Sequence, residues 1–241
     1  MPRIYHPAAL ASGTLIELEP SAANHLAGVL RLGVGAALTL FNGQGGEYAA
    51  TIQAIDRRRV RVAVGEHHAR ELESALEITL AQGIAKGERM DYAIQKATEL
   101  GVTRIVPLIT ERTNVRLAPE RWEKKRQHWR GVIIAACEQC GRNRLPTLAP
   151  PCGLSDWLTQ DQSALRLALD PRSAQGLASI DALPASVSLL VGPEGGLSAD
   201  ELRHAQQNGW RGLRLGSRVL RSETAGLVGL ALLQARWGDL G

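Results

Sequence analysis

The chain of 241 residues has few aromatic side chains, which make up 4% of it and include one phenylalanine. We therefore do not expect stacking of bases on a row of aromatic rings to be its main means of binding nucleic acid. Its three cysteines provide no disulfide framework, so a reducing, cytoplasmic compartment is expected. The longest uncharged apolar run, residues 225–235, is shorter than the ~20 residues of a membrane-spanning helix. No signal-peptide pattern begins the sequence, and we expect no membrane partner.

Three signatures of common nucleotide- and metal-dependent enzymes are also missing. No G-x-G-x-x-G follows a predicted strand, there is no Walker A lysine, and no cluster of histidines and carboxylates has ligand spacing. A Rossmann dinucleotide site is therefore unsupported, and we expect no metal. The net charge of +4 and the pI of about 9.2 suit a polyanionic partner without requiring one.

The order of predicted elements divides the chain in two. Residues 1–70 read as short strands joined by glycine turns, which is typical of a small, nearly closed antiparallel barrel. A charged linker follows, and residues 74–241 alternate apolar strands with amphipathic helices. This rhythm predicts an α/β domain with a mostly parallel sheet.

A glycine-rich turn follows one of the predicted strands of this domain. Residues 187–191 form a short apolar run, typical of a strand that is buried on both faces. Residues 192–196, Gly-Pro-Glu-Gly-Gly, break it, and Ser198 with Glu201 forms the capping box of a helix. A strand, a glycine turn and a helix N-terminus in succession point backbone N–H groups at a ligand.

A second turn of the same kind lies closer to the C-terminus. Residues 212–215 read as a strand, 216–222 as a turn, and 223–237 as an apolar helix. The alternative is that both are ordinary βα turns. Their pairing, and the polar residues crowded into 218–224, favour one ligand pocket at the carboxyl ends of neighbouring strands.

Three segments carry a resemblance to a known family. Residues 190–198 (LVGPEGGLS), 215–225 (LGSRVLRSETA) and 138–144 (EQCGRNR) resemble motifs of SPOUT-class RNA methyltransferases of the RsmE type. The resemblance covers essentially the whole chain. It departs from the family pattern at Ser217, usually Pro, and at Ser222, usually Thr.

The resemblance implies a fold, a reaction and partners. It implies a C-terminal SPOUT domain with a trefoil knot, preceded by a PUA-like RNA-binding β-barrel. It further implies S-adenosylmethionine as the cofactor, N3 of a uridine in 16S ribosomal RNA of the small subunit as the target, and a homodimer. Methyl transfer suits a sequence without metal or redox motifs, because the sulfonium is already an activated donor. The alternatives are a non-catalytic RNA-binding assembly factor and a sibling SPOUT enzyme that acts on transfer RNA.

The two turns and the residues beside them give the predicted cofactor site. Its members are Leu169, Leu190, Val191, Gly192, Pro193, Glu194, Gly195, Gly196, Leu215, Gly216, Val219, Leu220, Arg221, Thr224 and Ala225. Contacts to RNA phosphates are predicted for arginines, because the planar guanidinium suits phosphate. These are Arg3, Arg31, Arg112, Arg116, Arg142 and Arg144.

Two charged residues are predicted to carry the chemistry. N3 of uridine is a poor nucleophile until its proton leaves, and the resulting charge spreads onto the flanking carbonyl oxygens. Arg221 is the predicted cation for those oxygens, and Glu223 the weaker candidate, as a base or as the group that orients Arg221. The alternative is an ion pair between the two that braces the turn. Cys137 and Cys140 form a CxxC that could be redox-active or half a zinc site, though no second pair accompanies it.

Overall fold

The computed structural model describes residues 1–57, 59–115, 118–181 and 183–241. It consists of two compact units. The first comprises Met1–Glu73 with Ile134–Leu145, and the second Ser74–Ile133 with Pro146–Gly241. The predicted domains, 1–70 and 74–241, place residues 134–145 differently, and their functional assignment remains a prediction.

A five-stranded sheet forms the first unit. Its strands are β1 (Arg3–Tyr5), β2 (Leu15–Glu17), β3 (Ala37–Phe41), β4 (Glu47–Asp56) and β5 (Arg59–His68), in the order β1-β3-β4-β5-β2. The sheet is mixed rather than wholly antiparallel, because β1 pairs with β3 in parallel. Along β5, buried Val60, Val62 and Val64 alternate with exposed arginines, as a strand with one buried face requires. A short helix, α1 (Pro20–Ala23), and a π-helix (Asn24–Val29) add Ala23 and Leu26 to this core.

The second unit is an α/β arrangement around a seven-stranded sheet. Its strands are β6 (Glu77–Gly83), β7 (Arg104–Ile109), β8 (Thr147–Leu148), β9 (Cys152–Gly153), β10 (Leu165–Leu169), β11 (Ser186–Val191) and β12 (Arg211–Leu213). The order is β12-β10-β11-β6-β7-β8, with β9 pairing with β7, and every pairing is parallel. The predicted fold class is confirmed. The trefoil knot remains a prediction.

Helices connect these strands. They are α2 (Glu88–Glu99), α3 (Pro119–Cys140), α4 (Leu154–Gln160), α5 (Ala199–Gln207) and α6 (Ser222–Trp237), with a 3₁₀ turn at Leu177–Ser179. The capping box that the sequence predicts is present at the start of α5, where Ser198 and Glu201 bond each other's backbone N–H. No helix within the described residues is long and apolar enough to cross a bilayer.

The strand order determines which loops meet. In sequence β10, β11 and β12 follow one another, whereas in the sheet β10 lies between the other two. Because parallel strands place all their carboxyl ends at one edge, the loops after β10, β11 and β12 come together there.

Candidate functional site

A cavity of about 420 Å³ lies in the second unit, where these three loops meet. Its volume is within the range of small-molecule sites, roughly 300–1,000 Å³. The residues that line it are Arg112, Leu169, Asp170, Pro171, Arg172, Val191, Gly192, Pro193, Glu194, Gly195, Gly196, Leu197, Ala199, Leu202, Leu213, Leu215, Gly216, Arg218, Val219, Leu220, Ser222 and Ala225. Glycines and apolar residues, six of them leucines, form most of this wall, with a few charged groups among them.

The loop after β11, residues 192–198, requires glycine for close backbone packing. A Cβ on Gly192 would lie 2.7 Å from the backbone nitrogen of Leu197, and one on Gly83 of β6 would lie 2.5 Å from that of Pro193. Gly196 has a φ of +66°, a conformation that side chains disfavour. This segment, the first loop, therefore packs at distances that exclude larger residues.

Charged side chains brace the first loop. The Glu194 carboxylate accepts hydrogen bonds from the Lys86 backbone N–H at 3.0 Å and from Arg89 at 3.3 Å. Partial burial alone raises the pKa of the Glu194 carboxyl, but the N–H groups of Lys86 and of Glu194 itself, with Arg89, outweigh it and lower the pKa. Arg112 Nη1 donates to the Gly195 carbonyl at 2.7 Å. Hydrogen bonds from Lys86, Arg89 and Arg112 therefore hold the first loop in place.

The loop after β12, residues 216–221 and here called the second loop, is more open. Gly216 has a φ of +104°, with nothing within 4 Å of the place where a Cβ would lie. Val219 is 81% exposed, and Arg221 precedes α6 without a side-chain cap. The hydroxyl of Ser222, the first residue of α6, donates to the Gly192 carbonyl at 2.5 Å and joins the two loops.

The loop after β10 completes the wall, and the sequence did not predict its contribution beyond Leu169. Asp170 Oδ1 accepts from the backbone N–H of Arg172 at 3.0 Å and from its Nε at 3.2 Å. An Asp-Pro pair directly after an apolar run is a local signal for a turn. That this turn lies between the two glycine loops depends on the strand order, which the sequence does not reveal.

Comparisons with known proteins identify the family. A model described as an RNA methyltransferase domain matches residues 72–234, and one described as an RNA methyltransferase PUA domain matches residues 18–65. The ribosomal RNA small subunit methyltransferase E of Buchnera aphidicola subsp. Schizaphis graminum is 32% identical over 241 residues, which are 100% of this chain and 98% of that protein. This chain belongs to the ribosomal RNA small subunit methyltransferase E family. The resemblance drawn from the three motifs is confirmed.

Two solved structures resemble the chain along nearly its whole length. A methyltransferase of Legionella pneumophila in complex with the bound cofactor SAM is 44% identical, with a TM-score of 0.96 over 99% of this chain and 98% of that one. A ribosomal RNA small subunit methyltransferase E of Neisseria gonorrhoeae bound to S-adenosyl methionine is 36% identical, with a TM-score of 0.93 over 100% of both chains.

The cavity brings most of the predicted cofactor residues together. Leu190, Arg221 and Thr224 are those that do not line it. Leu190 is fully buried in the hydrophobic core, whereas Arg221 and Thr224 are exposed near the start of α6. The cofactor contacts themselves remain predictions.

The two predicted catalytic residues lie beside the second loop. Arg221 is exposed, and Glu223 is in the first turn of α6 with one carboxylate oxygen, Oε2, buried. Among the described residues this oxygen has no hydrogen-bond partner, and no ion pair joins Glu223 to Arg221. The structure therefore gives no support to the alternative that the two brace each other.

Two arginines of the predicted RNA contacts have internal partners in the first unit. Arg142 is 4% exposed and its guanidinium bonds the Glu73 carboxylate at 2.5 and 3.1 Å. Arg3 bonds Glu47 and Asn143, each at 2.5 Å. The phosphate contact of Arg142 remains a prediction, and burial and pairing leave its charge facing a carboxylate. Arg3 is in a similar position, with its side chain 13% exposed.

The other predicted RNA contacts differ in surroundings. Arg31 is exposed, with a φ of +53°, and Arg144 has a side chain that is 55% exposed beside Glu71. Arg112 lies at the cavity wall, and Arg116 falls outside the described residues. The phosphate contacts of these four remain predictions.

The CxxC ends α3. Burial raises the pKa of the Cys137 thiol to about 12, so Cys137 is a poor nucleophile and a poor metal ligand. In the described part of the chain, no group of three His, Cys, Asp or Glu side chains is placed to hold a metal ion.

Proposed function

We propose that this chain transfers the methyl group of S-adenosylmethionine to N3 of a uridine in 16S ribosomal RNA of the small subunit. The observation that carries the proposal is the cavity to which both glycine loops contribute, lined mostly by glycines and apolar residues. The N3 position and the roles of individual residues go beyond family membership and need separate tests.

The residues of the cavity fit S-adenosylmethionine. Gly196 and Gly216 line the cavity and have nothing within 4 Å of the place where a Cβ would lie, so a flat base can approach peptide groups there. Leucine, valine and alanine side chains provide apolar walls for the adenine and the methionine chain. Asp170 and Glu194 supply carboxylates suited to hydroxyl, ammonium or sulfonium groups of the cofactor.

The chain's own part in the reaction is to align and to stabilise charge. When bound, S-adenosylmethionine supplies an activated methyl group, so neither metal nor redox chemistry is needed. Arg221 lies beside the cavity on the second loop, where an exposed guanidinium can meet the uridine carbonyl oxygens. Two N–H donors aimed at these oxygens favour the deprotonated base and lower the barrier. Glu223 follows two residues later and is suited to receive the N3 proton or to orient Arg221.

Binding of RNA is expected to be electrostatic. Arg31 and Arg144 present exposed cations, and Arg112 lies at the cavity wall. Affinity should therefore fall with salt, at a slope of about 0.7 in log units per phosphate neutralised on single strands. A nearly flat salt dependence, measured by filter binding between low and physiological salt, would contradict this part of the proposal.

We further propose a homodimer in the cytoplasm. Helix α6 is almost entirely apolar from Ala225 to Ala235, yet Leu232 is 41% exposed. An apolar face of this kind suits burial against a second copy. Light scattering at micromolar concentration should report a dimer, and a monomer at all concentrations would refute it.

One experiment separates the candidate functions. Labelled S-adenosylmethionine is incubated with the protein and with 16S RNA, small subunits or transfer RNA from cells that lack the enzyme, and the modified nucleoside is mapped. The proposal predicts label at N3 of a uridine in 16S RNA. Label in transfer RNA would support the sibling enzyme. RNA binding with neither cofactor binding nor methyl transfer would support an assembly factor.

A further inference from the structure

Gln82, a buried residue outside the cavity, joins both glycine loops through one hydroxyl. It is the penultimate residue of β6 and is 1% exposed. Its Nε2 donates to Ser222 Oγ at 2.8 Å, and Ser222 Oγ donates to the Gly192 carbonyl at 2.5 Å. The three groups form a continuous relay from the central strand, through the start of α6, to the first loop.

The chemistry of the relay fixes the direction of each hydrogen bond. Gln82 Nε2 also donates to the Gly83 carbonyl at 3.1 Å, so the side chain's donor end faces two oxygens. Turning the amide over would place its oxygen against a carbonyl, which is repulsive. The middle position needs a group that accepts from an amide and donates to a carbonyl, and a hydroxyl does both.

The relay carries a cost that packing alone does not explain. Gln82 Oε1 is buried and has no hydrogen-bond partner among the described residues. An unpaired buried acceptor is unfavourable, so an apolar side chain of the same length would suit this core position better. Gly226 of α6 accommodates the amide, since a Cβ there would lie 3.1 Å from Oε1.

Ser222 is not needed to begin α6. The N-cap is Arg221, which makes no side-chain hydrogen bond to the helix, and the Ser222 hydroxyl is directed to the first loop instead. Both Ser222 and Gly192 line the cavity, so the relay spans its two sides. Its length therefore sets the separation of the walls between which a ligand must fit.

We propose that Gln82 is a positioning residue, which acts through Ser222 to set the spacing of the two loops for the cofactor. This inference rests on the proposed function, because the occupant of the cavity is S-adenosylmethionine. Gln82 itself touches neither cofactor nor RNA in this assignment. A purely structural role would lower the stability of the protein without changing how well the folded protein binds.

The test separates the effect of the hydroxyl at position 222 from the effect of side-chain shape. Ser222→Thr keeps the hydroxyl, and Ser222→Val has nearly the same volume as threonine without it. The measurements are S-adenosylmethionine affinity by calorimetry, with thermal unfolding of the same samples. We expect Ser222→Val to bind at least tenfold more weakly than Ser222→Thr. Equal affinities of the two variants would overturn the role of the hydroxyl.

Gln82→Met tests the other end of the relay. Methionine has a similar length, no donor and no orphaned acceptor, so the fold should be preserved while affinity falls at least fivefold. In the double variant with Ser222→Val, the loss should be no greater than that of Ser222→Val alone, because both changes break one relay. Wild-type affinity in folded Gln82→Met, or fully multiplicative losses in the double variant, would overturn the proposal.

A matched control separates the effect of breaking the relay from the effect of losing any buried hydrogen bond. The hydroxyl of Thr98 in α2 is fully buried and donates to the Ile94 carbonyl at 2.9 Å, and Thr98 does not line the cavity. Thr98→Val should reduce thermal stability and leave affinity unchanged. If wild-type protein does not bind S-adenosylmethionine, the proposed function has failed, whereas binding that no variant weakens refutes only the relay.

Discussion

The two glycine loops of the cavity differ in how firmly the protein holds them. In the first loop, the Gly195 carbonyl accepts a hydrogen bond from Arg112. The Glu194 carboxylate accepts hydrogen bonds from the Lys86 backbone N–H and from Arg89. The second loop has exposed side chains, including Val219 at 81% exposure. Ser222, which directly follows it, links it to the first loop through the Gly192 carbonyl.

This difference indicates a division of labour. A braced loop presents backbone groups in one arrangement and loses little entropy when a ligand arrives. An open loop can adjust to a ligand and carries the residue assigned to the chemistry, Arg221. We therefore expect changes in the first loop to weaken cofactor binding more than changes in the second, and changes at Arg221 to slow methyl transfer.

The largest effect is expected from Gly192→Ala, which breaks the first loop. Its Cβ would lie 2.7 Å from the Leu197 nitrogen and 2.8 Å from the Gly196 carbonyl carbon, and both are backbone atoms. Overpacking of this kind costs about 1–3 kcal/mol, so we expect S-adenosylmethionine affinity to fall by up to about 100-fold. Calorimetry measures it. Gly131→Ala is the control, because a Cβ there meets nothing within 4 Å. Unchanged affinity in folded Gly192→Ala would show that the loop backbone shifts to accommodate the added Cβ and would contradict the prediction.

Arg221→Lys tests the second loop and should have the next largest effect. Lysine keeps the charge but loses the planar pair of donors. We expect nearly normal cofactor binding and methyl transfer at least tenfold slower, which corresponds to about 1.4 kcal/mol in the barrier. Single-turnover transfer to RNA is the measurement, and Arg211→Lys in β12 is the control. Loss of cofactor binding instead would assign Arg221 to the cofactor site.

Gly216→Ala sharpens the contrast between sterics and backbone strain. Space is available for its Cβ, so the cost comes from the φ of +104° alone. Strain of about 1 kcal/mol would weaken cofactor binding roughly fivefold. Calorimetry on Gly216→Ala beside Gly192→Ala compares the loops directly. A greater loss of cofactor affinity in Gly216→Ala than in Gly192→Ala would contradict our inference that the first loop is the more firmly held.

The smallest effect is a dependence on pH through Glu194. Its folded-state pKa lies below the ordinary 4.5, so the ionised carboxylate stabilises the loop. That contribution is fully present above pH 4.5 and is lost as the pH falls through the lowered folded-state value. Glu194→Gln should weaken cofactor binding about twofold at pH 7, and the difference from wild type should disappear in acid. A difference that persists at low pH would exclude ionisation as its cause.

The sequence predicted individual strands and helices better than it predicted which strands lie side by side in the sheets. Apolar runs and the capping box at Ser198 identified β11 and the start of α5, because both are local patterns. The parallel pairing of β1 with β3, and the position of β10 between β11 and β12, depend on contacts between distant segments. The Asp170 wall of the cavity was missed for this reason.

Residue type alone did not reveal the surroundings of the charged side chains. Arg142 was predicted from its residue type to contact phosphate, and that contact remains a prediction. In the structure its guanidinium is buried and bonds Glu73, a carboxylate distant in sequence. Gln82 gave no signal, since one amide in an apolar run is indistinguishable from ordinary strand polarity. The structure supplies the missing information, which is the partner of each polar group.

The composition of the first unit has a consequence for the order in which the protein can be made. Within this unit, Arg3 donates a hydrogen bond to Asn143, and the Tyr5 backbone N–H donates one to Glu138. Both bonds join Met1–Glu73 to Ile134–Leu145, which are distant in sequence. At roughly 5–20 residues per second, residue 145 is translated seconds after residue 73. Until then Arg3 has Glu47 as a possible partner but lacks Asn143. A gene fragment that stops at residue 73 would fix the polypeptide in that unfinished state.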